Sequence, residues 1–244
     1  MSINYTHKEE LWNTWSHALG IAGGAVIGTI FICKAINKSD GLGLFSIILY
    51  LLGMLGSYVT STTYHALSST STHKEPWRKW DHAAIYWHIA GSYSPITLIA
   101  LRNHSYWGWS LFTFVWLCAI VGTSLSLWRL KEHSNLETCC FVGMGLSVLV
   151  AFKPLMEAVS TPTLAWIIAE GVCYITGAVF YSLRRHHNTH TIFHFFVLAG
   201  TACHIVAVWK ILGWKSSPHF FPNKHTWFQI FFVPSQHESM NCCS

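Results

Sequence analysis

Two short stretches, STTYH at residues 61–65 and HTIFH at residues 190–194, set chemistry-bearing side chains four residues apart. Four residues of helix advance about 400°, so the imidazoles of His190 and His194 point within about 40° of one another, one turn apart. That is the spacing of two ligands on one metal ion. With His65 as a third imidazole, the set would match catalytic zinc, which takes three protein ligands and leaves its fourth place to water or substrate. Asp81, in WDHAAIYWH, suits a carboxylate beside such a centre, orienting the water or acting as its base. Ser61, one turn before His65, suits a donor to a developing oxyanion or a hold on the water. Glu10, Asn13 and His17, in ELWNTWSH, share one helical face at offsets of three and four. A helix cap and interhelical hydrogen bonds account for these three as readily as a direct catalytic role does.

The elements that carry these residues are read from composition. Of 244 residues, 52% are hydrophobic and 10% charged, against about 25% charged in a soluble domain. Thirteen Trp, nine Tyr and fifteen Phe suit a protein with two lipid-water boundaries. The net charge of +5 sits in short connectors and not in a patch that could follow phosphates, which argues against nucleic acid as a partner and for membrane lipid. Cys33, Cys118, Cys173 and Cys203 lie inside apolar runs as packing thiols do, and neither Cys139–Cys140 nor Cys242–Cys243 has the spacing of a metal knuckle. The opening MSINYTHKEELWN lacks the apolar core of a cleavable signal peptide.

A bilayer crossing takes about 20 mostly apolar residues. Seven stretches qualify, at 15–36, 43–66, 83–101, 106–128, 138–156, 163–183 and 191–213, with connectors such as NKSDG, RNHS and RLKEHSN between them. The expected architecture is an all-α integral membrane protein, a bundle of seven transmembrane helices over 15–213, with a cytoplasmic segment 1–14 before it and a tail 214–244 after it. Eight basic residues fall in one set of connectors (Lys8, Lys74, Arg78, Lys79, Arg129, Lys131, Arg184, Arg185) and four in the other (Lys34, Lys38, Arg102, Lys153). That bias predicts a cytoplasmic N-terminus and, with an odd number of spans, a C-terminus outside. The parity of the spans also brings His65, Asp81, His190 and His194 to one membrane face. Deeper in the spans, His88 suits a bundle-facing hydrogen bond or a proton path, and Glu170 calls for an interior partner that spacing does not identify.

With these motifs in order, the sequence resembles the hemolysin III and progestin/adipoQ receptor family of seven-span membrane proteins. The resemblance rests on ELWNTWSH, on Ser61 to His65, on Asp81 followed by IAGSYSP, and on HTIFHFFVLAG. It implies Zn2+ held by His65, His190 and His194, with Ser61 and Asp81 close by on the cytoplasmic side. It also implies, through related ceramidases, hydrolysis of an amide in a membrane lipid. Receptors and hemolysins carry the same family name, so three functions are carried forward: a zinc-dependent intramembrane hydrolase of lipid amides or esters, a zinc-containing receptor or lipid sensor, and a membrane-perturbing protein. The gathering of polar residues at one end, where a pore would need a stripe through several spans, argues against the last.

Overall fold

The computed structural model describes residues 5–129, 135–183 and 186–213, and the expected tail 214–244 lies outside the described residues. Every regular element among them is helical: α1 His7–Asn37, α2 Gly41–Ala66, α3 Lys74–Pro95, α4 Trp107–Arg129, α5 Asn135–Leu146, α6 Phe152–Ala158, α7 Thr161–Ser182 and α8 Thr189–Gly213. A π turn, Ile96–Ala100, extends α3, and a 3-10 turn, Ser147–Ala151, joins α5 to α6. Six helical segments are long and apolar enough to cross a membrane: His7–Asn37, Gly41–Ala66, Trp107–Trp128, Leu136–Ala158, Thr161–Ser182 and Thr189–Gly213. The fold is therefore that of an integral, multi-pass helical protein.

The helix expected over 83–101 is α3, and it is not among those six. It begins earlier, at Lys74, and its first two turns carry Lys74, Glu75, Arg78 and Lys79. Its later part holds His88, Ser92, Ser94 and Thr97, all buried. Every residue from Ala90 to Leu98 is buried, so this stretch is enclosed by protein and its polar groups are kept from lipid. Serine and threonine in this stretch bond their own helix, as Thr97 Oγ1 does to the Tyr93 carbonyl at 2.8 Å. Gly91 and Pro95 give this helix a close-packed, altered middle. A Cβ on Gly91 would lie 3.0 Å from the Leu49 carbonyl oxygen, and one on Gly53 of α2 would lie 2.2 Å from that of Trp87. The backbones of α2 and α3 touch there. Pro95 has no N–H for the Gly91 carbonyl, and the helix resumes in π form, with Leu101 N–H donating to Ile96 O at 2.9 Å.

Two helices start before their apolar stretch because polar caps extend them. In α1 the Glu9 N–H donates to Thr6 Oγ1 at 3.2 Å and Glu9 Oε2 accepts the Thr6 N–H at 2.7 Å, a capping box that adds the turn bearing Glu10 and Asn13. In α2 the Asp40 side chain accepts the Gly43 N–H at 3.0 Å, and Arg102 Nη2 donates to both of its oxygens at 3.0 and 2.8 Å. Arg102 holds the Asp40 carboxyl below its usual range chiefly through this side-chain hydrogen bond. The stretch expected as a single span over 138–156 is two helices around the 3-10 turn. The Tyr93 hydroxyl satisfies the backbone at that break, accepting the Val148 N–H at 3.0 Å and donating to the Gly145 carbonyl.

The bundle is inverted relative to a soluble one. On α1 the buried positions include Asn13, Ser16, His17, Gly24, Gly28 and Phe31, whereas Trp12, Trp15, Leu19 and Val26 are exposed. Apolar packing fills the rest of the interior in two clusters, one around Tyr86, Val115 and Phe141 and one around Phe31, Ile47 and Met54. Buried polar side chains gather at the start of α1, the end of α2 and the start of α8, whereas those of α3 lie farther along it.

Candidate metal centre

His65 is the last residue but one of α2, and His190 and His194 occupy the first turns of α8. Their exposures are 2%, 7% and 1%. His190 Nε2 lies 3.2 Å from His65 Nε2 and 3.1 Å from His194 Nε2, and the three residues form a group that could hold a metal ion. Nitrogens bound to one tetrahedral zinc at about 2.0–2.1 Å stand roughly 3.3–3.4 Å apart, so two of the three spacings are already close to a coordination edge.

The outer nitrogens explain why the Nε2 atoms face inward. Glu10 Oε2 lies 2.6 Å from His65 Nδ1, and a carboxylate there accepts the Nδ1 proton. Ser16 Oγ donates to the Asn13 carbonyl at 2.9 Å, so its lone pair is what meets His194 Nδ1 at 3.2 Å. Both rings are thereby set with a bare Nε2 toward the centre, the tautomer that ligates a metal. The donor set fits a zinc ion.

Glu10 is held in turn. Its Oε1 accepts Lys74 Nζ at 2.8 Å, and the same ammonium caps the end of α2 by donating to the Tyr64 and Leu67 carbonyls at 3.2 and 2.8 Å. The start of α8 is tied to α1 twice: Thr191 Oγ1 donates to Asn13 Oδ1 at 2.7 Å, and the backbone N–H of Asn188 donates to Glu9 Oε1 at 2.7 Å. Asn188 takes a φ of 63°, which asparagine tolerates better than most residues. Tyr5, just ahead of α1, stacks on His190 with ring centroids 4.9 Å apart and meets His65 edge-on at 5.7 Å. Burial pushes its phenol well above the ordinary value.

Inward from the histidines is a cavity of about 170 Å³, and His190 and His194 line it together with Ser61, Asp81 and His17. Ser61 is buried and Asp81 half-buried. Asp81 sits about two turns into α3 and not at its start, because that helix begins at Lys74. The cavity walls are largely apolar, with Ile85, Ile89, Phe141, Val142, Leu146 and Val197 among them. His17 stacks on His194, centroids 3.9 Å apart and planes at 20°, and neither of its ring nitrogens has a hydrogen-bond partner among the described residues.

The face of α1 left open between cap and catalysis thus divides: Glu10 orients a histidine, Asn13 fastens α8, and His17 lines the cavity. His88 makes the bundle hydrogen bond expected of it, with Tyr174 OH at 3.2 Å. His187 stands 3.8 Å from Glu9 Oε1 and is no member of the histidine group. Tyr5 and Lys74 are contributors that spacing did not single out, since neither repeats with the ligand pattern. A second polar group beside the cavity was missed for the same reason: His82 lies 3.1 Å from Glu137 Oε2 and 3.3 Å from Tyr181 OH, and Ser126 also donates to Glu137.

The family model described as Haemolysin-III related matches residues 5–205. Hemolysin-3 of Bacillus cereus is 31% identical over 195 residues, covering 80% of this chain and 88% of that protein. The Hemolysin-3 homolog of Bacillus subtilis is 30% identical over 198 residues, 81% and 92% of the two chains. The adiponectin receptor protein of Drosophila melanogaster is 25% identical over 224 residues, 83% of this chain and 50% of that one.

Proposed function

Because the chain belongs to the Haemolysin-III related family, we propose that it is a seven-crossing membrane hydrolase that cleaves a lipid amide or ester at a zinc ion held by His65, His190 and His194. The observation that carries this reading is the convergence of three imidazoles, two of which, His190 and His194, line a cavity that Ser61 and Asp81 also line. A site meant only to staple helices tends to close with four protein ligands, whereas three leave a position for chemistry. Zinc held in this way supplies a Lewis acid and makes water nucleophilic near neutral pH. Glu10 and Ser16 keep the ligating rings in register. Asp81 takes the proton of the attacking water, and Ser61 donates to the oxygen on which negative charge develops. Tyr5 covers the ring of His190, so substrate reaches the centre from the cavity, whose apolar walls suit a lipid chain.

In this reading α3 is the remaining crossing, and residues 1–14 and the start of α3, which bears Lys74 and Arg78, face the cytoplasm. The domain division follows, with the spans over 15–213 and the segment 214–244 as a tail. A receptor or lipid sensor with the same metal centre is the second reading, favoured by the receptor among the similar proteins. Mass spectrometry of a lipid panel incubated with the parent protein and Asp81→Asn separates them. The hydrolase reading expects product from the parent, a fall of about 10²–10⁴ in the variant, and unchanged zinc in both. No product from the parent, or equal product from both proteins, would overturn it.

A further inference from the structure

A second titratable pair lies far down the same bundle. Glu170 of α7 and His204 of α8 meet at 2.7 Å between Oε2 and Nδ1, with exposures of 7% and 0%. From His194 to His204 the α8 axis runs about 15 Å at 1.5 Å per residue, roughly half the thickness of a bilayer's hydrocarbon core. An ionisable residue at such depth is costly, and where it occurs it faces a bundle interior or a substrate path. Glu170 does so: it lines the cavity that His190 and His194 line at the other end.

The pair leaves bonding capacity toward the cavity. His204 engages only Oε2, and among the described residues Oε1 has no hydrogen bond. Its titratable neighbours are Tyr50, Tyr93, Tyr174 and Cys203, none of them cationic. Two of those hydroxyls are committed elsewhere: Tyr174 OH to His88 and Thr201, and Tyr93 OH to the break after α5. On the far side of the pair, His204 Nε2 and the Tyr50 hydroxyl are both buried without a partner among the described residues. Their rings are 4.9 Å apart. A plain hydrocarbon tail reaching this depth would displace any water from Oε1 and leave a carboxylate oxygen bare.

We propose that the inner end of the cavity is a second recognition site, in which Glu170, fixed by His204, accepts a hydrogen bond from a hydroxyl carried by the ligand's chain about 15 Å from the group at the histidine centre. The ligand class is then an acyl lipid with a hydroxylated chain, not an unsubstituted one. The proposal rests on the reading that the cavity receives a lipid chain, and it deepens that reading by naming a feature of the chain.

The test reads binding and not turnover. Displacement of a fluorescent fatty acid from purified, zinc-loaded protein is compared for dodecanoic acid and its ω-hydroxy counterpart, in the parent, Glu170→Gln and Glu170→Leu. The parent should favour the hydroxylated chain by about ten- to a hundredfold, the range for one hydrogen bond to a charged group. Glu170→Gln, which keeps the volume, should lower that preference, and Glu170→Leu should reverse it. Equal binding of both chains by the parent would overturn the proposal, as would a preference unchanged in Glu170→Gln, which decides the matter should Glu170→Leu not fold. Because hydrolysis is not the readout, an intact preference beside absent turnover would count against the hydrolase reading alone.

Discussion

Glu10 Oε2 and His65 Nδ1 are 2.6 Å apart, and this contact joins the first helix to the histidine that closes the second. The carboxylate is held on its other side by Lys74, so three helices meet at one imidazole. Glu10→Gln should therefore retain the fold but weaken zinc binding by about 10–100-fold, the range found when an outer partner of a metal-bound histidine is lost. A chelator competition titration measures this, and unchanged affinity would remove the orienting role.

The close approach of α2 and α3 at Gly53 is a backbone contact, with the Trp87 carbonyl 2.2 Å from where a Cβ would stand. No rotamer can relieve that clash. Gly53→Ala should lower stability by about 1–3 kcal/mol through displaced helices. Gly56→Ala, on the same helix, meets nothing within 4 Å and serves as the control. Thermal unfolding in detergent compares them, and equal midpoints would contradict the packing.

Asp40 lies between α1 and α2, with its carboxyl held below the ordinary range mainly by the Arg102 hydrogen bond. A lowered folded-state value means that the stabilisation is full above the unfolded value of about 3.9 and is lost as pH falls through the folded value. Asp40→Asn can still cap α2 at Gly43 but cannot form the ion pair. The parent should thus be the more stable protein near neutral pH, and the gap should close below about pH 4. Unfolding midpoints across that range test the sign, and a gap that widens in acid would refute it.

Orientation is tested by placing single cysteines at Ser71 and His104 in a protein freed of its native cysteines. Both positions are partly exposed. A membrane-impermeant label should reach the first from the cytoplasmic side and the second from outside. The reverse pattern would invert the protein in the membrane and leave the histidine geometry as it stands.

The convergence of the three histidines was legible in the sequence because a four-residue spacing is a local property of a helix and because span parity decides which ends share a face. Both hold without knowledge of packing, and His65, His190 and His194 do meet. Partners drawn from other helices were not legible: nothing local links Glu10 to His65, Tyr5 to His190 or Glu170 to His204. Helix ends were misjudged where polar caps, Thr6 with Glu9 in α1 above all, carried the helix beyond its apolar stretch. The polar start of α3 hid its length for the same reason, since hydropathy marks contact with lipid and the stretch from Ala90 to Leu98 is enclosed by protein.

The convergence of His65, His190 and His194 on one ion is the claim from which the rest follows, and elemental analysis of purified protein tests it most directly. The account predicts close to one zinc per chain in the parent and in Asp81→Asn. It predicts the loss of most of that zinc in each of His65→Ala, His190→Ala and His194→Ala, in protein that still elutes as a folded species from size exclusion. Undiminished zinc in all three histidine variants, or a parent that binds none when zinc is supplied, would contradict it.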